Sequence, residues 1–193
     1  MKAEENALVL DFMPRGRSSG FKSEPLAQLM GKEHFTLLEV VPKQGVELKA
    51  LDEVYVGKDE RPKVEFIKRR MDYKDLTNNS LNELEAAVRN IVLGSEQKFV
   101  EFFNTSRSIT LKRHQIELLP GMGKKHMLQI LQEREKAPFT SFSEMRERVH
   151  AMPDPVVAVV KRVVEELEGM DVRHYLFVRP PSHEKEFRPR RHF

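Results

Sequence analysis

The feature that most constrains this chain is a change of hydrophobic period near residue 75. Before it, apolar side chains alternate or gather in short β-branched and aromatic runs; after it they recur every three or four residues. A chain that changes period once is neither a helical bundle nor a β-sandwich, and reads as α+β. The strand candidates are residues 8–13, ended by Pro14; 35–41, ended by Pro42; 46–50 with 53–56, ended by Gly57; and 64–67, opened by Pro62. Four or five short strands with long polar connections suit a small barrel, because closure removes exposed strand edges. The expected form of residues 1–74 is therefore an OB-like β-barrel, followed by an all-α region.

Residues 75–108 read as a helical connector. Ser80 and Glu83 have capping-box spacing, Leu81, Leu84, Val88 and Ile91 form one stripe, and Gly94 closes the helix. Ser95 caps a second helix whose Phe99, Val100, Phe102 and Phe103 make a bulky face, at helical spacing suited to a core. Residues 109–170 carry the most informative run, ITLKRHQIELLPGMGKKHMLQILQER at 109–134. A short helix holding Leu111, Leu118 and Leu119 is stopped by Pro120. Gly121, Met122 and Gly123 turn the chain, and Lys124 opens a helix carrying Met127, Leu128, Ile130 and Leu131. Glycines permit a close approach that a Cβ obstructs, Met122 folds inward, and free N–H groups of Gly123, Lys124 and Lys125 sit at a helix N-terminus that favours an anion.

This stretch resembles a helix-hairpin-helix motif, carried by Leu119, Pro120, Gly121, Met122, Gly123 and Lys125. The resemblance implies that the hairpin amides hold a nucleic-acid backbone phosphate without reading bases; the alternative is a plain αα-turn. A paired copy follows: Ser141 and Glu144 cap a short helix to Val149, residues 150–153 fill the hairpin position, and Asp154 with Pro155 launches an apolar helix ended by Gly169. Lacking both glycines and one N–H, this second hairpin is expected to pack rather than bind. Residues 171–193 read as a last strand at 175–178 and a basic tail with Arg188, Arg190 and Arg191.

Lys and Arg number 33 against 30 Asp and Glu, for a net charge of +3, so placement matters more than surplus. Residues 58–74 hold seven basic and four acidic side chains, and residues 98–136 eight and four. The loop from Pro14 to Pro25 carries Arg15, Arg17, Lys22 and Phe21, which in a nucleic-acid barrel set guanidiniums on phosphates and a ring under a base; a solvated loop is the alternative. Lys68, Arg69 and Arg70 read either as a phosphate contact or as a solvated strand end.

Taken over residues 7–179, the chain is similar to a family of archaeal proteins of unknown function described as predicted RNA-binding. FTLLEVVPK at 35–43, VYVGK at 54–58, IKRR at 67–70, KFVEFFN at 98–104, HQIELLPGMGKK at 114–125, PFTSFSEMRERV at 138–149 and DPVVAVVKRVVEELEG at 154–169 carry the likeness. It implies an OB-like barrel joined to a helix-hairpin-helix region.

The sequence argues for a binder over an enzyme. In DNA glycosylases with this hairpin a following Lys and a downstream Asp do the chemistry; Lys125 fits the first, but 137–143, APFTSFS, has no Asp. There is no Cys, which removes thiolate metal sites, iron–sulfur clusters and Cys nucleophiles. The His residues form no zinc pattern, Asp52, Glu53, Asp59 and Glu60 read as a solvated loop, and no Walker A or Rossmann fingerprint occurs. No cofactor or metal is expected. No apolar run approaches the ~20 residues a bilayer helix needs, and the first residues lack the order of a secretory signal, which points to the cytoplasm. The expected partner is RNA backbone phosphate, gripped at residues 121–125 with a second contact at Arg15, Arg17 and 68–70. The alternatives are DNA, as in a repair or recombination accessory, and a protein partner in a ribonucleoprotein or transcription complex.

Overall fold

A computed structural model describes residues 4–16 and 24–180. Its first part is one curled antiparallel sheet built from β1 (Asn6–Met13), β2 (Leu26–Gly31), β3 (Leu37–Pro42), β4 (Glu53–Tyr55) and β5 (Val64–Arg70), in the order β4-β1-β2-β3-β5. Strand β2 is absent from the sequence reading. All six of its residues are buried, as are all six of β3, so neither strand shows a solvent face to alternate against. Conversely, residues 46–50 are not a strand; Leu48 is buried from a loop.

The ladder is open: among the described residues β4 and β5 are its two edges and do not pair with each other. The expected closed barrel is thus a half-barrel, and its two faces are covered in different ways. Ala7, Val9, Ala27, Leu29, Val40 and Val54 point into the curl. Leu8, Leu10, Met30 and Leu37, on the opposite face, join a second core shared with the helices. The helices cover the outer face, while the inner face is closed by the curl itself with Leu48 and Val56 from its loops.

Helix α1 (Asn78–Gly94) lies between β1 and α5 (Pro155–Glu168). Its cap is Thr77, whose hydroxyl accepts the Ser80 amide at 3.1 Å, rather than Ser80 as the spacing indicates. Ser80 is instead buried, donating to Gln28 Oε1 at 2.6 Å. Gln28, fully buried on β2, also accepts the Thr77 amide and donates to the Asp75 carbonyl, so one satisfied polar group ties sheet to helix. Helix α2 (Glu96–Thr105) buries Phe99, Val100 and Phe103 in the shared core, as its spacing predicts.

After α2 the chain departs from expectation. Residues 109–119 are not a helix: β6 (Ser108–Thr110) and β7 (Arg113–His114) form a small hairpin, followed by a single 3₁₀ turn (Gln115–Leu118). Leu111, assigned to an apolar stripe, lies fully exposed at the tip of that hairpin. Helices α3 (Lys124–Lys136) and α4 (Phe142–Arg148) then lead to α5. Residues 175–178 are not a strand either. The amides of Leu176, Phe177 and Val178 donate to the Glu166 carboxylate at 2.7–2.9 Å, so a buried side chain on α5 takes the place of a strand partner. Arg179 then returns to the sheet, its amide donating to the His34 carbonyl. No helix among the described residues is long and apolar enough to cross a membrane.

Candidate functional site

The turn after the 3₁₀ helix is a type II β-turn, with Pro120 at its first central position and Gly121, φ +82°, at its second. It is closed by the Met122 amide donating to the Leu119 carbonyl at 3.0 Å. Met122 is buried in the shared core, which locks the turn against the helices. Gly123 is the N-cap of α3, with φ −85° and no side-chain cap; the first helical bond is Met127 N–H to the Gly123 carbonyl at 3.0 Å. The N–H groups of Gly123, Lys124, Lys125 and His126 therefore find no acceptor among the described residues, and Gly123, Lys124 and Lys125 are exposed.

The two glycines are there for different reasons. Gly121 occupies the left-handed region, and a Cβ on it would pack on the Pro153 ring at 3.5–3.6 Å. Gly123 has ordinary backbone angles, and a Cβ there would meet nothing within 4 Å. Nothing in the folded protein itself requires glycine at 123, where Ser, Asp or Asn would make a better cap.

The Gly121–Pro153 contact sets the second turn beside the first. There Ala151, φ +55°, takes the left-handed position without a glycine. The N-terminus of α5 is closed: the Asp154 carboxylate accepts from Val156 N–H at 2.8 Å and Val157 N–H at 3.1 Å, and Pro155 has no N–H to offer. The first turn has cations and free amides; the second is filled by its own carboxylate.

The other residues singled out from the sequence are not gathered here. Lys68 pairs with Glu24 at 3.0 Å, and Arg69 bridges Glu39 and Asp75 at 3.1 and 2.8 Å. Partial burial works against the Asp75 carboxylate, yet its hydrogen bond with Arg69 holds its pKa below the usual range. Arg70 donates to the carbonyls of Arg179 and Pro180, and burial and the Arg179 charge lower its pKa. All three side chains of the triplet are thus engaged within the protein. Arg70 shares a cleft with Glu168 and Gly169 at the C-terminal end of α5, whereas Gly121 sits by Pro153 at its N-terminal end. The 14 residues of α5 span roughly 20 Å at 1.5 Å each, which separates triplet and hairpin. Arg15 is exposed on the loop after β1; Arg17, Phe21, Lys22 and the tail arginines lie outside the described residues.

Sequence reading missed a basic region made by tertiary contact. Arg107 precedes β6, Arg113 lies on β7, and Arg173 and His174 come from the chain after α5, where Glu165, Glu168 and Asp171 share the cleft with Arg113. The first two were legible only as charge in the 98–136 segment. Among the described residues no group of His, Asp or Glu is arranged to hold a metal ion.

Fold and turn together define a mixed α+β protein in which a curled five-stranded half-barrel is packed on helices that present one uncapped, lysine-flanked helix N-terminus. The chain belongs to the family described as protein of unknown function (DUF655), which it matches over residues 3–179. It is 37% identical over 179 residues to the uncharacterized protein MJ0038 of Methanocaldococcus jannaschii, covering 92% of this chain and 81% of that one. It is also similar to the crystal structure of Af1531 from Archaeoglobus fulgidus, at a TM-score of 0.84 and 43% identity, covering 91% of this chain and all of that one.

Proposed function

We propose that this protein binds nucleic acid, RNA in the first instance, by holding a backbone phosphate at the amides of residues 123–125. The observation that carries the reading is Gly123: an uncapped helix N-terminus, open around its Cα position, beside Lys124 and Lys125 and unexplained by the protein's own packing. Free amides and the helix dipole favour an anion there, and two lysines add charge. The contrast with α5, where Asp154 and Pro155 use up the equivalent site, supports reading the first turn as the binding one and the second as its packing partner. In this reading LPGMGKK is the hairpin of a helix-hairpin-helix motif with a 3₁₀ turn as its first arm, and the half-barrel is OB-like, a class whose barrels are partly open. The contact is to backbone, so it positions without specifying sequence. Arg15, exposed on the loop after β1, supplies a further cation for the backbone. The 68–70 triplet, held by internal partners, contributes no phosphate contact. No catalytic step is assigned.

Gly123→Glu is the direct test, because φ −85° and open space allow the side chain without disturbing the fold while its carboxylate fills the anion's place. Anisotropy titration of matched RNA and DNA oligonucleotides at one stated salt should show most affinity lost in the variant, with RNA preferred by the native protein. Lys124→Ala with Lys125→Ala should lower the salt slope by about 1.4, at ~0.7 per phosphate for a single strand. Native-like binding by the Gly123→Glu protein would leave the turn a purely structural element.

A further inference from the structure

The described arginines differ in whether the fold supplies them a partner. Arg69, Arg146, Arg148 and Arg162 each meet a carboxylate, and Arg134 donates to the Phe103 and Ser106 carbonyls. Arg107, Arg113 and Arg173, all exposed, have no side-chain partner among the described residues. Arg15 and Arg89 are also exposed without a side-chain partner among the described residues, but only Arg107, Arg113 and Arg173 line one groove and the cleft beside it. An open groove of ≈ 840 Å³ runs between the β6–β7 hairpin and the segment after α5, with Arg107, Ser108 and Gln115 on one wall and Arg173, His174 and Tyr175 on the other. None of its described lining residues is acidic. Arg113 borders the adjoining cleft, which shares Arg173 and His174 with the groove and is acidic on its far side, at Glu165, Glu168 and Asp171.

The groove walls are held in place by the fold. Arg162 donates to the His174 carbonyl and pairs with buried Glu166 at 2.8 Å, and Glu166 takes the next amides of the same wall. On the facing side, the Arg107 amide donates to Gln115 Oε1 at 2.7 Å and the Gln115 amide returns to the Arg107 carbonyl at 3.0 Å. Gln115 begins the 3₁₀ turn that runs directly into Leu119 and the turn at Gly121, so groove and hairpin follow one another along the chain.

We infer that this groove carries a single-stranded nucleic acid, continuing the path of the strand whose phosphate sits at the Gly123 amides. The inference rests on the function proposed above and adds the class of ligand. Arg107 and Arg173 both line the groove, and none of its described lining residues is acidic, as a track for a phosphate backbone requires. Exposed His174 supplies a ring against which an unpaired base stacks, with Tyr175 half-buried beside it against the core, a combination of cationic groove and aromatic surface suited to single strands and tolerant of sequence. A duplex keeps its bases stacked internally and gains nothing from those rings.

The test uses the full chain and a labelled single-stranded RNA of mixed sequence, read by anisotropy across a salt series. Arg107→Glu with Arg173→Glu should weaken binding at least tenfold at low salt and lower the salt slope by about 1.4. Arg89→Glu with Lys63→Glu, an equal charge change on exposed residues elsewhere, should leave both near native. Unlabelled duplex of equal length should compete poorly with single strand. Native-like binding by the groove variant while Gly123→Glu abolishes it overturns the groove and leaves the hairpin reading intact. Loss in the groove variant with native-like binding by Gly123→Glu upholds the groove and removes the hairpin. Equal loss in the groove variant and the charge control, or competition by duplex as strong as by single strand, overturns the groove; no binding by the native protein overturns both.

Discussion

Replacing Glu166 with alanine probes the arrangement on which one wall of the basic groove depends. The Glu166 side chain has no exposure, while its partner Arg162 retains 11%. One carboxylate accepts from Arg162 Nε at 2.8 Å and from three consecutive amides, Leu176, Phe177 and Val178, at 2.7–2.9 Å. Removing it leaves Arg162 with only Glu165, at 3.5 Å, and the His174 carbonyl, and strands three amide donors together. Breaking a buried pair by deleting one partner costs about 3–5 kcal/mol. The amides add less than their separate sum, because residues 174–178 can lift away and hydrate. For a chain of this size each kcal/mol moves Tm by about 2–4 °C, so the expected fall is roughly 6–20 °C. Urea unfolding gives the free energy directly, and hydrogen exchange locates it: the amides of 176–178 should lose protection out of proportion to those of β2 and β3. Glu166→Gln, which keeps one acceptor oxygen and the shape, should fall between. A loss below about 1 kcal/mol with native protection at 176–178 would refute the claim that this carboxylate organises the C-terminal segment.

Further outcomes follow from other buried or strained groups. Glu4, 5% exposed, accepts the amides of Glu33, His34 and Thr36, and a Cβ on Gly31 would lie 2.1 Å from its Cδ. Gly31→Ala should therefore cost about 1–3 kcal/mol by overpacking, yet much less when added to Glu4→Ala; simple additivity in that double-mutant cycle would show that the glycine answers to something other than Glu4. Acid should destabilise the protein in two windows. Burial and then the Arg134 charge lower the pKa of His114, whose Nδ1 accepts the Ile116 amide, so the unfolded chain takes up the proton first and stability falls as pH drops below about 6.5. Glu144 is lowered to about 2 by hydrogen bonds from the Thr140 hydroxyl and amide and from Arg148, so its contribution is present above about 4.3 and lost as pH falls toward 2. Unfolding free energies from pH 7.5 to 3 should show both slopes, with His114→Asn flattening the upper and Glu144→Gln the lower; an unaltered profile in either variant would remove that residue from the account.

Local chemistry carried much of this protein into view before any coordinates. The change of period at residue 75, the apolar stripe of α1, the phenylalanines of α2, Asp154 with Pro155 opening α5, and the Pro-Gly turn ahead of Lys124 all follow from the preferences of neighbouring residues, which a sequence displays directly. Other features depended on what was packed against them. Strand β2 gives no alternation because helices cover one face and the curl of the sheet the other. Residues 108–114 turn back as a hairpin where apolar spacing indicates a helix, and that leaves Leu111 in solvent. Lys68, Arg69 and Arg70 look free along the chain, but Glu24, Glu39, Asp75 and the Arg179 carbonyl, brought from as far as 109 residues away, occupy them. The groove belongs wholly to this second kind. Arg107 and Arg173 are 66 positions apart, and bonds from distant residues, those of Glu166 and Arg162 above all, draw the chain after α5 back so that both line one groove. Short-range backbone preference is written residue by residue, whereas the pairing or freedom of a charge is decided by whichever distant side chain the fold delivers to it.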